Sequence, residues 1–269
     1  MFRQRVIVFL TAGPLMVYLI YLGGLFYVIP VTAVLLLATY EYAQIIRKIG
    51  WHMPLWLLLP AVFAQLLAGY WTAADFFAPA LVISLLAAIA YVLWLYERRL
   101  SETAVADWFA LMSGILILGW IGSHFLRLEQ FNWQWTMLAI VSAWMADTGA
   151  YVVGKFLTNR VLGRHQLSPR LSPNKTVEGF IGGILIGTGV TAALASPLQI
   201  PLGAALLLGL LSSIVSPLGD LAISLLKREA GVKDSGVFFP GHGGALDRID
   251  TLLWSVTMAY YLAAFVSRQ

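Results

Sequence analysis

Cysteine is absent from this chain and charge is scarce: 13 Asp and Glu with 17 Lys and Arg make up 11% of the 269 residues, where an ordinary soluble domain carries roughly 25%. The missing thiols exclude disulfides, zinc–thiolate sites and thiol catalysis, and say little about redox compartment. The shortage of charge excludes an ordinary water-soluble globule. What stands in its place is apolar. Hydrophobic residues account for 60% of the chain, mean hydropathy is +0.82, and repeated apolar runs are long enough to cross a bilayer. The fold class expected is therefore all-α, a polytopic integral membrane protein.

Nine apolar runs predict spans at 5–22, 25–46, 54–71, 76–97, 104–122, 134–156, 177–197, 202–226 and 246–266. Arg3, Arg5, Arg47, Lys48, Arg98, Arg99, Lys155, Arg160, Arg164, Arg170, Lys175, Lys227, Arg228, Lys233 and Arg248 then fall on one side, and the other side keeps Arg127 and Arg268. The positive-inside rule puts the N-terminus and the basic loops in the cytoplasm. The C-terminus is expected to face outward, and the expected location is a bacterial inner (cell) membrane. The first run follows a basic start, but it is long, lacks a small-residue cleavage site and leads through Gly23 and Gly24 into another run, so it reads as a retained helix. No repeat, low-complexity tract or domain linker interrupts the chain. Polar chemistry is unevenly spread, so residues 1–130 are expected to be transmembrane scaffold and residues 131–269 the catalytic region.

Three constellations carry the chemistry. In WMADTGAYVVGK, Asp147 and Tyr151 lie four apart and share a helix face with Gly154 and Lys155. A carboxylate inside a span is expensive and marks either a functional path or a helix-holding pair. In LSPRLSPNKTVEG, Ser172, Asn174, Lys175 and Thr176 offer donors just before a helix expected to start near Thr176, whose free amides suit an anion. The plainer reading of that segment is a positive-inside loop with Ser172 or Asn174 as a helix cap.

The third constellation begins at Ser216-Pro217-Leu218-Gly219-Asp220, where Pro217 and Gly219 are expected to weaken and break the eighth helix inside the membrane. Asp220, Ser224 and Lys227 continue as a polar stripe at helical spacing. It leads into Ser224–Asp250, where Lys227, Arg228, Lys233, Asp234, His242, Asp247, Arg248 and Asp250 surround the turn PGHGG. Glycine permits the conformations in which successive amides cradle a phosphate, here at Gly243 and Gly244. Magnesium takes one or two carboxylates plus substrate phosphates, which Asp220 and Asp247 from two helices would supply. Each residue also has a bland reading: Lys227 and Arg228 as snorkelling anchors, His242 as a loop hydrogen-bonder, Asp250 as a helix-entry ion pair.

Ser224, Lys227, Arg228, Lys233, Asp234, Gly236, Pro240, His242, Gly243, Gly244, Asp247, Arg248 and Asp250 fall in an order and spacing that resemble the phosphatidate cytidylyltransferase, or CDP-diacylglycerol synthase, family. The ADTGAY and SPNKTVEG segments also resemble that family, so the likeness covers roughly residues 140 to 255; Ala245 departs from it, standing where a larger aliphatic residue is usual. The resemblance implies that CTP and phosphatidate give CDP-diacylglycerol and pyrophosphate, with Mg2+ as cofactor and a second cation left open. It implies Asp220 and Asp247 as metal ligands, Asp147 as a further candidate ligand and Asp250 orienting the ligands from behind. Lys227, Arg228, Lys233 and Arg248 would neutralise phosphates. Ser172, Asn174, Lys175, Thr176, Ser224, Asp234, His242, Gly243 and Gly244 would contact nucleotide or lipid phosphate. Membrane lipid is an expected partner, nucleic acid is not, and a homodimer is expected because it is the commonest oligomer.

Two other functions start from the same residues. An ion-coupled transporter also uses broken helices and midplane carboxylates, but here the charges cluster toward one end of the spans and no matching broken helix appears in the first half. A CTP-dependent kinase of a lipid alcohol would leave CDP where a cytidylyltransferase leaves pyrophosphate.

Overall fold

The apolar runs become helices because a backbone in lipid must satisfy its own amides and carbonyls, and a helix does so within one segment. The computed structural model describes residues 13–71, 75–163, 165–238 and 243–268. Residues 5–12 of the first expected span, and Pro240 and His242, lie outside the described residues.

The helices are α1 (Gly13–Leu22), α2 (Gly24–Ile49), α3 (Leu55–Tyr70), α4 (Phe77–Glu97), α5 (Ala104–Gly114), α6 (His124–Glu129), α7 (Trp133–Val152), α8 (Val177–Ala193), α9 (Leu202–Glu229), α10 (Leu246–Ile249) and α11 (Leu252–Val266). Two π-helical segments, Ile115–Ile121 and Val153–Leu162, extend α5 and α7. Among the described residues, five stretches are long and apolar enough to cross a membrane by themselves: Gly24–Ile49, Phe77–Glu97, Ala104–Glu129, Trp133–Thr158 and Leu202–Glu229. The helices α1, α3, α8 and α11 are apolar but shorter. The chain is an all-α polytopic membrane protein.

Three local expectations are corrected. Pro217 does not break its helix, since α9 runs unbroken from Leu202 to Glu229 with Pro217 inside it. A proline removes one ladder bond, which neighbouring structure in a long membrane helix can absorb. The ninth span begins at Leu252, and the residues before it form the separate single turn α10. The segment 167–179 is not an open loop, because β1 (Gln166–Ser168) pairs antiparallel with β2 (Ser172–Thr176) in a hairpin whose register shifts between its two pairs.

The chain forms two compact units. The first consists of Met1–Arg127 with Leu226–Ile249, and the second of Leu128–Leu225 with Asp250–Gln269. One boundary falls close to residue 130, yet the segment Leu226–Ile249 packs with the N-terminal helices.

In the first unit α3 packs against α2, α4 and the π-helical segment 115–121, burying Leu35, Ile46, Leu58, Leu66, Leu111 and Leu118. Lipid tails are as apolar as leucine, so polar ties between helices add orientation. Tyr42 Oη donates to the Ala110 carbonyl at 2.7 Å. Fully buried Asp107 accepts from the His52 amide at 2.8 Å, Ser101 Oγ at 2.5 Å and Thr103 Oγ1 at 3.0 Å, fixing the 50–54 loop to the start of α5.

In the second unit the closest seam is α7 on α8. Gly179, Gly183 and Gly187 recur every four residues on α8, opposite Ala146, Ala150 and Gly154 on α7 and its π-helical extension. Small residues at this spacing let two backbones approach. A Cβ at Gly183 would meet the Ala146 carbonyl oxygen at 2.7 Å, whereas one at Gly189 would meet nothing within 4 Å. Gly183→Ala is therefore expected to lower the thermal unfolding midpoint in detergent, overpacking costing about 1–3 kcal/mol. Gly189→Ala is expected to leave it unchanged or raise it; equal midpoints for the two variants would contradict this seam. On another face, Ser212 donates to Ser255, whose Oγ donates to the Ala139 carbonyl at 2.6 Å, tying α9, α11 and α7 together.

Candidate active site

Each unit holds one part of the expected chemistry. In the second unit, Thr176 ends β2 and caps α8, its Oγ1 accepting from the Gly179 amide at 3.0 Å. Thr176 is buried and occupied by this cap. Capping fixes the hairpin to the helix and sets the direction of Lys175, one residue earlier. The Lys175 ammonium forms an ion pair with Asp220 Oδ2. Ser224, one turn along α9, donates to Asp220 Oδ1 at 3.3 Å. The polar stripe expected on α9 is thus real between Asp220 and Ser224, and the SPNKT segment supplies its counter-ion. The side chains of Lys175 and Asp220 are 27% and 29% exposed, so the pair is open to exchange with a ligand.

Ser172 is half-buried and Asn174 exposed on β2. Asp147 lies on an exposed stretch of α7, and further along the same helical run Lys155 Nζ donates to Tyr151 Oη at 2.7 Å. Asp250 is buried, and its Oδ1 accepts from the Thr251 amide at 2.7 Å at the entry to α11.

In the first unit, Lys227 reaches from the end of α9 to Asp247 Oδ1 at 2.6 Å, with side chains 11% and 8% exposed. Asp247 Oδ2 accepts three further bonds: Ser235 N at 2.8 Å, Ser235 Oγ at 3.0 Å and Gly244 N at 3.1 Å. Burial pushes the Asp247 carboxyl upward, but the Lys227 bond and the two amides outweigh it and hold the group below the ordinary carboxylate range. Gly243 adopts φ +82°, the left-handed region that favours glycine, and a Cβ there would meet Asp247 Oδ2 at 2.7 Å. Arg228, Lys233, Asp234 and Arg248 are exposed in the same segment.

Two residues of this cluster were not singled out by sequence reasoning. Glu41 of α2 is buried and accepts from Ala245 N at 3.0 Å through Oε1 and from Leu246 N at 2.9 Å through Oε2. Ser235 Oγ lies 2.8 Å from Glu41 Oε2, so this serine sits between two carboxylates. The signal for Glu41 was available, because it is the one charged residue in the run 25–46. The cost of a charge inside a span singles it out as it does Asp147.

This is a polytopic membrane protein with a lysine–carboxylate clasp bonded to the Gly244 amide and exposed arginines and lysine in the same segment, a donor set suited to phosphate groups. The chain belongs to the cytidylyltransferase family, whose model matches residues 3–266. It is similar to the phosphatidate cytidylyltransferase of Synechocystis sp. (strain ATCC 27184 / PCC 6803 / Kazusa), 33% identical across 98% of this chain and 97% of that protein. It is 45% identical over 143 residues to the phosphatidate cytidylyltransferase of Bacillus subtilis (strain 168), covering 52% of this chain and 51% of that protein. The same-named protein of Staphylococcus aureus (strain COL) is 43% identical over 123 residues, 45% of each chain. The matched stretch thus spans about half the length of the Bacillus and Staphylococcus relatives and nearly all of the Synechocystis one.

Whether these residues suit a divalent cation turns on free oxygen lone pairs. Magnesium needs only one or two carboxylates, the remainder coming from phosphate and water. Asp220 fits: it is partly exposed, its Oδ1 holds one long bond, and Lys175 is its exchangeable partner. Asp247 Oδ2 is occupied by the Ser235 and Gly244 amides, with the Ser235 hydroxyl shared with Glu41, and Oδ1 holds Lys227 with one lone-pair site left over. A cation at that site would stand against the Lys227 ammonium, so Asp247 suits one less well than Asp220 does.

Proposed function

We propose that this chain is a phosphatidate cytidylyltransferase, joining CTP and phosphatidate into CDP-diacylglycerol with release of pyrophosphate. What supports the reading most is the Lys227–Asp247 clasp: a buried lysine paired with its carboxylate, in a segment that also exposes Arg228, Lys233 and Arg248. A phosphate oxygen of phosphatidate attacks the α-phosphorus of CTP in line. The bond from that phosphorus to the bridging α–β oxygen breaks, and pyrophosphate leaves with the electron pair. The attacking oxygen is already anionic, so no general base is required, and positioning with charge neutralisation carries the catalysis.

In this reading Lys227, Arg228, Lys233 and Arg248 neutralise phosphate oxygens. Lys175 exchanges Asp220 for a substrate phosphate. Mg2+ is the proposed cofactor: Asp220 would hold it together with substrate phosphate, and when bound it would supply charge stabilisation to the leaving group. Asp147 is a further candidate ligand, while Asp250 and Asp247 act by holding backbone. The proposed location is the cytoplasmic face of a bacterial inner membrane, a reading supported by the basic residues that the span pattern of the sequence puts on one side. A homodimer is proposed as its assembly.

The test is turnover of purified protein with CTP and phosphatidate over graded magnesium. Equimolar CDP-diacylglycerol and pyrophosphate, absent without magnesium, are expected. CDP in place of pyrophosphate would make the chain a lipid-alcohol kinase, and substrate flux across sealed liposomes without CTP turnover would make it a carrier.

A further inference from the structure

The backbone of the signature segment enters a place where unpaired amides are costly. Glu41 precedes Arg47, at the basic end of α2, by six residues, and at 1.5 Å per residue it lies about 9 Å back along the helix axis. Ala245 and Leu246 are fully buried, and Ala245 lies in irregular chain before a single helical turn. Buried irregular backbone persists only where protein groups satisfy it. Glu41 satisfies both amides, one with each carboxylate oxygen. The glycines of the segment leave it room, since a Cβ at Gly236 or Gly244 would lie against the Glu41 carboxyl group.

From these contacts we infer that Glu41, on the second helix, is a positioning residue for the nucleotidyl transfer, acting through Ser235 and the 243–247 turn on the Asp247–Lys227 clasp. The chain of contacts is continuous. Glu41 Oε2 holds Leu246 N and Ser235 Oγ; Ser235 N and Gly244 N hold Asp247 Oδ2; Asp247 Oδ1 holds Lys227. The Ser235 hydroxyl has one proton for two carboxylates, at 2.8 Å and 3.0 Å, so it serves one at a time. When the proton goes to Glu41, Asp247 keeps the two amides and Lys227. Glu41 thereby fixes where the lysine charge stands without touching a substrate.

Amide chemistry makes the proposal testable with a side chain of the same shape. Glutamine offers one acceptor and one NH2 donor, and at position 41 the donor would face a backbone N–H. Glu41→Gln is expected to lower kcat per folded molecule about tenfold or more, with the KM for CTP within about threefold of the parent. Glu41→Asp, which keeps two acceptors, is expected to recover part of that loss. Hydrogen exchange of the Glu41→Gln protein in nanodiscs should show faster exchange at Ser235 and at 244–246, with the α7 and α8 amides unchanged. A kcat within twofold of the parent, or no recovery in Glu41→Asp, overturns the inference. If Glu41→Gln gives no monodisperse protein, Ser235→Ala carries the test, since it cuts only the hydroxyl link: kcat down about threefold or more supports the inference, and unchanged kcat overturns it. The inference rests on the activity proposed above, and the two fail separately. A parent protein that makes no CDP-diacylglycerol sinks the activity, whereas the exchange pattern reports on Glu41 alone.

Discussion

Asp247→Asn is expected to abolish formation of CDP-diacylglycerol and to lower the unfolding temperature in the same protein. The two losses have one cause. Asparagine brings a donor into a position where Lys227 and two backbone amides already converge on the carboxylate, and it leaves the Lys227 charge buried without its partner. Removing one member of a buried ion pair costs roughly 3–5 kcal/mol. Purified variant would be assayed for turnover and for thermal unfolding, and near-normal turnover would remove Asp247 from the mechanism.

The parent protein's acid response carries the same signature. A carboxyl whose folded pKa is depressed contributes stability above its unfolded pKa and loses it as pH falls through the folded value. Since the Asp247 carboxyl is held low, its bonds from the Ser235 and Gly244 amides are expected to persist through the usual carboxylate range and to fail only below it. In Asp247→Asn that acid step disappears, which hydrogen exchange across a pH series would detect.

Asp220→Asn is expected to remove activity by a factor on the order of 100 or more while leaving stability nearly unchanged. Here the pair is more than a quarter exposed on both sides, and pairs open to solvent contribute little to stability, on the order of 0–1 kcal/mol. A hard cation, however, needs the anionic oxygen that asparagine lacks. The activity remaining in Asp220→Asn should need more magnesium than the parent. A variant with parent-like turnover and magnesium dependence would sink the cation assignment. The contrast matters: one aspartate is expected to lose fold and function together, the other function alone.

Apolar run length alone locates most of the helices, because lipid leaves the backbone no other way to satisfy its groups. The Ser224–Asp250 run stands out in the sequence because so much charge in an apolar chain is costly to keep. The SPNKT segment is legible there as polar and as the start of α8, but not as a hairpin, since five residues with proline carry little strand signal. Pro217 signals a break, and α9 absorbs it.

The sequence by itself determined an all-α membrane protein, the polar stripe of Asp220 and Ser224, and the set of residues that are candidates to handle phosphate. Those follow from local rules of spacing and of transfer from water to lipid. Tertiary structure alone decided which charges neutralise one another. Lys175 belongs to Asp220 and Lys227 to Asp247, while Glu41 holds the turn from 204 and 205 residues away in the chain. Such pairings depend on which helices lie side by side, and helical spacing reports only the neighbours within one helix.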